Sequence, residues 1–354
     1  MTPPPATAPP AAQGFRMPAE WAPHAATWLA WPHKEASWPG RLERIPPVFC
    51  EMVRHLVAGE DVHINVADAA MESRARAALT AAAVPASRGH FHAIPTDDAW
   101  VRDHGPMFLN HPDGRQAIVD WGYNAWGGKY PPFALDNAVP AQIATLLGLP
   151  RFQPGMILEG GSIEVDGEGT LLTTEACLLH PNRNPALARG EIERRLRDYI
   201  GVETILWLGE GIAGDDTDGH VDDAARFLAP GVVLAAVEPD SGDANHAPLE
   251  ANLRRLRALR DARGRRLEVL TLAMPAPVEH EGQRLPASYI NYYAANRCVL
   301  LPQFGCPQDE AAARALESAF PGRAVVGISC RDLVWGLGAF HCLTQQQPLP
   351  DPPR

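Results

Sequence analysis

The chain has 354 residues, 46% of them hydrophobic and 21% charged, the balance of an ordinary globular protein and far from the disordered or fibrous classes. A formal net charge of -11 opposes the basic footprint of a nucleic-acid binder, so no nucleic acid is expected and a cationic ligand suits the chain better. No window reaches the ~18 uninterrupted apolar residues of a membrane span, and no basic region followed by an apolar stretch opens the chain, so a cytoplasmic protein with no membrane contact is expected.

The Pro- and Ala-rich residues 1–14 have nothing to bury and predict a disordered tail, as does the Pro-rich stretch 348–354. Between them, 15–347 reads as the folded part. A helical pattern at 41–58 leads into a β-like run at 61–66 and a second helix at 71–83. The alternation continues with a strand at 170–174, a helix at 189–200, a strand at 231–237 and a helix at 249–262. Strands at 297–301 and 324–329 flank a helix at 308–319. This is the pattern of the α/β class. No linker rich in Gly or Ser divides the chain, so one domain is expected despite the length. No sequence repeat is visible, although strand-helix units of roughly 50–70 residues are compatible with the alternation.

No dinucleotide fingerprint follows any strand, and the phosphate-binding Gly-x-x-x-x-Gly-Lys-Ser/Thr pattern is absent. The six cysteines are scattered without a C-x-x-C pair, which predicts reduced thiols rather than a disulfide framework. Zinc ligands usually arrive in close pairs, and here only His341 and Cys342 are adjacent, so neither a metal nor another cofactor is expected.

Four segments carry residues suited to chemistry. In Gly336-Leu-Gly-Ala-Phe-His-Cys-Leu-Thr-Gln-Gln346, glycines precede a cysteine and polar residues follow it, so Cys342 is the best candidate for a thiol projecting into a cleft. Cys177 and Cys298 sit in apolar runs and read as small core hydrophobes. His220 lies in Gly214-Asp-Asp-Thr-Asp-Gly-His-Val-Asp-Asp223, either an acidic surface turn or part of a site; in a strand, His220 and Asp222 would share one face. Thr96-Asp-Asp-Ala-Trp-Val-Arg-Asp-His-Gly-Pro106 offers Asp103 with Trp100 nearby, and Leu158-Glu-Gly-Gly-Ser-Ile-Glu-Val-Asp166 places Glu159 before a glycine pair that a hairpin turn does not explain.

If these residues converge, they suit one reaction. A guanidinium is planar, cationic and forked, which Asp103 and Asp222 would match as a two-sided clamp. Cys342 would attack the exposed carbon, His220 would protonate the departing ammonia and activate water, and Glu159 would orient the imidazole. Trp100 would either pack on the guanidinium or serve the core. Trp126, Lys129 and Tyr130 are candidates for the far end of the ligand by nearness to a Gly-Gly loop.

These segments, with Met17-Pro-Ala-Glu-Trp-Ala-Pro-His24, Asn124-Ala-Trp-Gly-Gly-Lys-Tyr130 and Ala287-Ser-Tyr-Ile-Asn291, resemble those of the agmatine deiminases, in the superfamily that includes the arginine and peptidylarginine deiminases. The resemblance covers nearly all of 15–347. It implies a five-bladed α/β propeller (pentein) of ββαβ-type units around a polar channel. By position it makes Cys342 the nucleophile, His220 the acid/base, Glu159 its carboxylate partner, and Asp103 and Asp222 the guanidine ligands. It implies cofactor-free hydrolysis of agmatine to N-carbamoylputrescine and ammonia, on the way to putrescine, by a homo-oligomer such as a dimer. It also implies a glycine triplet ahead of the His-Cys pair, where this chain instead has bulk at Leu337 and Phe340 that would narrow the pocket or shift substrate choice. The competing readings are a deiminase of free or peptidyl arginine or another alkylguanidine, and a polyamine-binding module without catalysis, which would explain the carboxylates but not the thiol.

Overall fold

The structure is a computed structural model that describes residues 8–352. Five of its six sheets share one wiring, in which the first strand runs antiparallel to the second and the third runs parallel to the second. Parallel neighbours cannot be joined by a tight turn, so a helix must carry the chain back between the second and third strands. Ile45–Leu56, Ala134–Leu147, Arg189–Ile200, His246–Ala258 and Gln308–Ala319 are those helices. The ββαβ unit is therefore present five times.

The second to fifth sheets begin on Met107–Asn110, Ile163–Val165, Ala225–Ala229 and Tyr293–Ala294. The first is assembled from both ends of the fold: Gln345–Pro348 pairs antiparallel with His24–Ala30, which pairs with Asp61–Val66 and then Gly89–Ala93. The five sheets are separate, with no strand ladder closing them into one barrel among the described residues.

Local sequence explains the elements. Ile45–Leu56 starts with prolines in its first turn and buries Ile45, Phe49, Met52, Val53 and Leu56, an apolar stripe at helical spacing. Asp68 caps Ala69–Ala81 by accepting the Met71 N–H at 2.7 Å, and Gly201 ends Arg189–Ile200 at φ 80°. The expected strands at 61–66, 170–174 and 324–329 and helices at 189–200 and 308–319 are found at those bounds, and the others shift by a few residues.

The tails need correction. Pro10–Gln13 form a 3-10 turn with Pro10 buried, held by the Phe15 N–H to the Pro10 carbonyl at 3.1 Å and by Arg16 Nη1 to the Ala11 carbonyl at 2.9 Å. Proline composition hid this because the partners lie in the following residues. Residues 1–7 lie outside the described part. At the other end the ladder runs to Pro348, and Leu349 still donates to the Pro23 carbonyl at 2.7 Å. Among the described residues no helix is long and apolar enough to cross a membrane.

Each of the five first strands is preceded by a polar turn. These turns are Val101–His104, Gly160–Ser162, Val221–Asp223, the approach through Asn291, and residues 339–344 before Gln345–Pro348. The buried ground beneath them is ionic: Arg226 pairs with Glu20 and with Glu164, both at 2.9 Å. Buried charges persist only when paired in this way.

Candidate active site

The five turns meet. Cys342 lies in the turn before Gln345–Pro348, and alone among the six cysteines it lines a cavity of about 590 Å³. Two glycines allow that placement: a Cβ at Gly338 would stand 2.6 Å from the Trp100 ring and 3.1 Å from Cys342 Cβ, and one at Gly336 would meet Trp38 at 2.6 Å. The turn is packed directly on the Trp38–Trp100 pair. Trp100 is both core, with its ring 5.3 Å from Trp38, and part of the cavity wall. Leu337, between the two glycines, lines the cavity in a left-handed conformation at φ 68°. Phe340 does not line it: the side chain is fully buried in the core behind the turn, so the expected narrowing there is not found.

Asp103 enters from Val101–His104 with both oxygens engaged. Oδ1 accepts the Gly161 N–H and Oδ2 accepts Trp126 Nε1–H, each at 2.9 Å. The indole is delivered by a run in which Ala125 and Trp126 both hold positive φ, 52° and 55°, a strained choice for residues with a Cβ. Trp126 thus holds a carboxylate through its N–H while its ring lines the cavity. Asp222 presents Oδ2 to His341 Nδ1 at 2.6 Å and lies 3.9 Å from Cys342 Sγ, while its Oδ1 is buried without a partner. A Cβ at Gly161 would sit 2.9 Å from oxygens of both Asp103 and Asp222 and 2.6 Å from His220 Nδ1. Only glycine lets these three side chains close around one point.

His220 and Asp222 are not on a strand; a single 3-10 turn, Val221–Asp223, brings them together. Asp215 makes that turn by accepting the Gly219 and His220 N–H groups at 3.0 Å each. His220 is buried with neither ring nitrogen hydrogen-bonded, and Asp103 Oδ1 is 3.7 Å from its Nδ1. The expected orienting bond from Glu159 to His220 is not made. Glu159 Oε1 instead takes Arg183 Nε–H at 2.6 Å, and Oε2 is buried and unpartnered. Arg183 also pairs with Asp218 at 2.5 Å, and Lys129 pairs with Asp218 and Asp216, so neither cation is free. Tyr130 lines the cavity and donates to Asp216.

Two contributors escaped sequence reasoning. Arg183 sits in an unremarked loop with no local signal. Asn291 donates from Nδ2 to Cys342 Sγ at 3.2 Å and to Asp223 Oδ1 at 3.1 Å, and its Oδ1 accepts the His341 N–H at 3.1 Å. Its signal was positional, since it occupies in the fifth unit the place that the site residues occupy in the other four.

The model of the Porphyromonas-type peptidyl-arginine deiminase family matches residues 16–348. The chain belongs to that family. Among its relatives, the agmatine deiminase of Pseudomonas aeruginosa (strain LESB58) is 41% identical over 97% of this chain and 98% of its own length. That of Ectopseudomonas mendocina (strain ymp) is 40% identical over 97% and 98%. The solved agmatine deiminase of Enterococcus faecalis superposes with a TM-score of 0.92 at 33% identity, covering 97% of this chain and 98% of its own. An amidinotransferase from Microseira wollei, 15% identical with a TM-score of 0.51 over 94% and 96%, shares the fold.

In this deiminase-family chain the carboxylates of the site crowd one another without a counter-charge of their own. Burial and the Glu159 carboxylate push the Asp103 carboxyl up to about 7. Burial and Asp103 push Asp222 well above its ordinary range, and burial and Asp222 do the same to Asp223. Burial, then Asp222, Asp223 and Asp103, raise the Cys342 thiol well above its ordinary value, while burial and Arg183 hold His220 well below its own. A cation between the carboxylates would reverse the first three effects and favour the thiolate as well.

A different donor set lies behind His220. One ligand atom each from Glu159, Cys177 and His220 falls within 4.8 Å of the others, all three residues buried. Thiolate, imidazole and carboxylate are zinc donors. The Arg183 guanidinium on Glu159 already supplies the positive charge of that corner.

Proposed function

We propose that the protein is an agmatine deiminase, hydrolysing the guanidinium of agmatine to N-carbamoylputrescine and ammonia. One observation carries the choice of substrate within the family: among the described residues, four carboxylates, Asp98, Asp103, Asp216 and Glu281, line the cavity against a single lysine or arginine, Lys34, itself 3.4 Å from Asp98. Such a wall suits a ligand cationic at both ends. It opposes the α-carboxylate of free arginine.

In this reading the guanidinium lies between Asp103 and Asp222, its carbon facing Cys342. Charge from the substrate favours the thiolate, and His220, whose proton affinity burial and Arg183 hold low, accepts the thiol proton. The C–S bond forms, and His220 returns that proton to the nitrogen that leaves as ammonia. Water, deprotonated by His220, then forms the C–O bond as the C–S bond breaks, which restores the thiol and yields the ureido product. Glu159 is the nearby carboxylate favouring the cationic imidazole. No step draws on a cofactor.

The same reading takes 15–347 as one domain, the five units as blades of a propeller around the site, and the working form as a cytoplasmic homo-oligomer. Purified protein given agmatine should release ammonia and N-carbamoylputrescine in equal amounts. Silence toward agmatine and other alkylguanidines would sink the proposal, and faster turnover of arginine would transfer the activity to the second substrate class.

A further inference from the structure

Beneath Asp222 lies a buried line of charges that this reaction does not use. Asp222 Oδ2 is 2.6 Å from His341 Nδ1, and His341 Nε2 is 2.8 Å from Glu20 Oε2. Glu20 in turn meets Arg102 Nη2 at 3.2 Å and Arg226 Nη2 at 2.9 Å. All five side chains are buried. The Nε2 contact is off the ring's best hydrogen-bond direction, yet 2.8 Å is too close for two facing lone pairs, and with two guanidinium groups on Glu20 the proton between them belongs to Nε2. Nδ1 then either accepts a proton from a neutral Asp222 or donates one to an ionised Asp222.

The surrounding groups choose between these. The charged or titratable neighbours of the imidazole are Asp222, Glu20, Arg102, whose Nε also reaches the His341 carbonyl at 3.2 Å, Arg226, the adjoining Cys342 thiol, and Asp223 through Asn291. Burial raises the Glu20 carboxyl, but the Arg226 and Arg102 guanidinium groups, with the His341 ring N–H, outweigh it and hold Glu20 well below the usual carboxylate range. Burial, with Arg102 and Arg226, holds the His341 imidazole well below its ordinary range, and burial with Asp103 pushes the Asp222 carboxyl well above its own. The 2.6 Å contact between Nδ1 and Oδ2 leaves room for one proton, and with the Arg102 and Arg226 guanidinium groups both drawn onto Glu20 beside the ring, that proton rests on Asp222 Oδ2, aimed at Nδ1.

We infer that His341 is a positioning residue that stores this proton: when a guanidinium enters, the proton crosses from Asp222 Oδ2 to His341 Nδ1, leaving an anionic clamp and an imidazolium between two carboxylates. One O–H bond breaks, one N–H bond forms, and no proton leaves the protein. Signs then alternate along the line, from Arg102 and Arg226 through Glu20, His341 and Asp222 to the substrate. Without the store, each binding event would have to expel a proton from a fully buried carboxyl. The inference rests on the guanidine-hydrolase reading and adds to it a role for His341 and Glu20.

The test uses full-length Cys342→Ala protein, which binds without turnover, with agmatine and methylguanidinium as probes. Calorimetry at pH 7 in buffers of different ionisation enthalpy counts protons released per cation bound. His341→Asn, added to this background, keeps an N–H near Asp222 but cannot take up a proton, and should release about one proton more than its parent. Glu20→Gln should move the count in the same direction. In the parent, ¹⁵N signals of His341 should pass from a neutral tautomer to imidazolium as either probe binds, a readout independent of whether the variants fold. Unchanged proton counts, or a His341 that stays neutral with the cation bound, overturn the inference. If no guanidinium binds at all and the intact enzyme is silent, the underlying reading falls as well.

Discussion

Asn291 Nδ2 donates to Cys342 Sγ across 3.2 Å while its Oδ1 receives the backbone N–H of His341, so one amide holds both the nucleophile's sulfur and the turn that presents it. A hydrogen bond to a group that becomes charged contributes about 1.5–3 kcal/mol. Asn291→Ala should therefore lower kcat roughly 10- to 100-fold. It should also lower Tm, because Asp223 and the His341 N–H lose a buried partner. Steady-state kinetics with agmatine check the claim: an unchanged kcat would mean that Asn291 serves only the fold.

Gly161 gives a sharper case. A methyl there would overlap His220, Asp103 and Asp222 at 2.6–2.9 Å, so those side chains must move by several tenths of an ångström or more. Overpacking of this kind costs about 1–3 kcal/mol of stability, which a chain of this size should tolerate. Displacement of reacting groups by about 1 Å can cost ~100-fold in rate. Gly161→Ala should thus remain folded by circular dichroism and lose at least that much kcat/KM. Retention of wild-type kinetics would show that the three groups need not converge there.

These two residues mark the limit of what the sequence reveals. The α/β alternation was legible because apolar strand runs and helix caps are local signals, and Cys342, His220, Glu159, Asp103 and Asp222 stand out by residue type beside glycine. Gly161 was visible only as half of a glycine pair, since the atoms that forbid a side chain come from three distant turns. Asn291 ends a segment, 287–291, that carries the resemblance but assigns it no role, because an amide between aromatic and apolar residues carries no chemical flag. What exposes it is the fivefold recurrence of wiring, which divergent sequences conceal and hydrogen-bond topology makes plain. The tail at Pro10–Gln13 and the ion pair of Arg183 with Glu159 depend likewise on partners remote from their own composition.

Raised carboxyl groups set the pH behaviour. Asp103 has its carboxyl pushed up to about 7 in the empty protein, against about 3.9 when unfolded, so between those values the folded state binds more protons than the unfolded one. Stability contributed by Asp103 must then fall as pH rises through that window. Asp136 and Glu164, both pushed to about 7 chiefly by burial, act in the same direction. Asp103→Asn sets an amide N–H against one of the donors that the carboxylate accepts, so its Tm should drop at low pH, but it should fall less steeply than the parent's as pH rises towards 7, and turnover should be abolished. A guanidinium requires the ionised form, so the parent's KM for agmatine should climb as pH drops below about 7. A KM flat from pH 5 to 8 would contradict the assignment of Asp103 to the cation.

Leu337 is where the chain departs most visibly from a glycine-rich turn. Its φ of 68° is a left-handed conformation that costs a residue with a Cβ about 1–2 kcal/mol, and its side chain faces the cavity. Leu337→Gly removes that strain but adds about 0.5–1 kcal/mol of unfolded-state entropy, so net stability should change by no more than ~1 kcal/mol. The space opened is a leucine side chain's worth beside Trp100 and Cys342. Turnover of agmatine should stay within a few-fold, whereas guanidines with branched or aryl substituents should gain in kcat/KM relative to agmatine. If that ratio is unmoved, the side chain lines the cavity without touching the substrate, and selectivity must be sought along the acidic wall at Asp216 and Glu281.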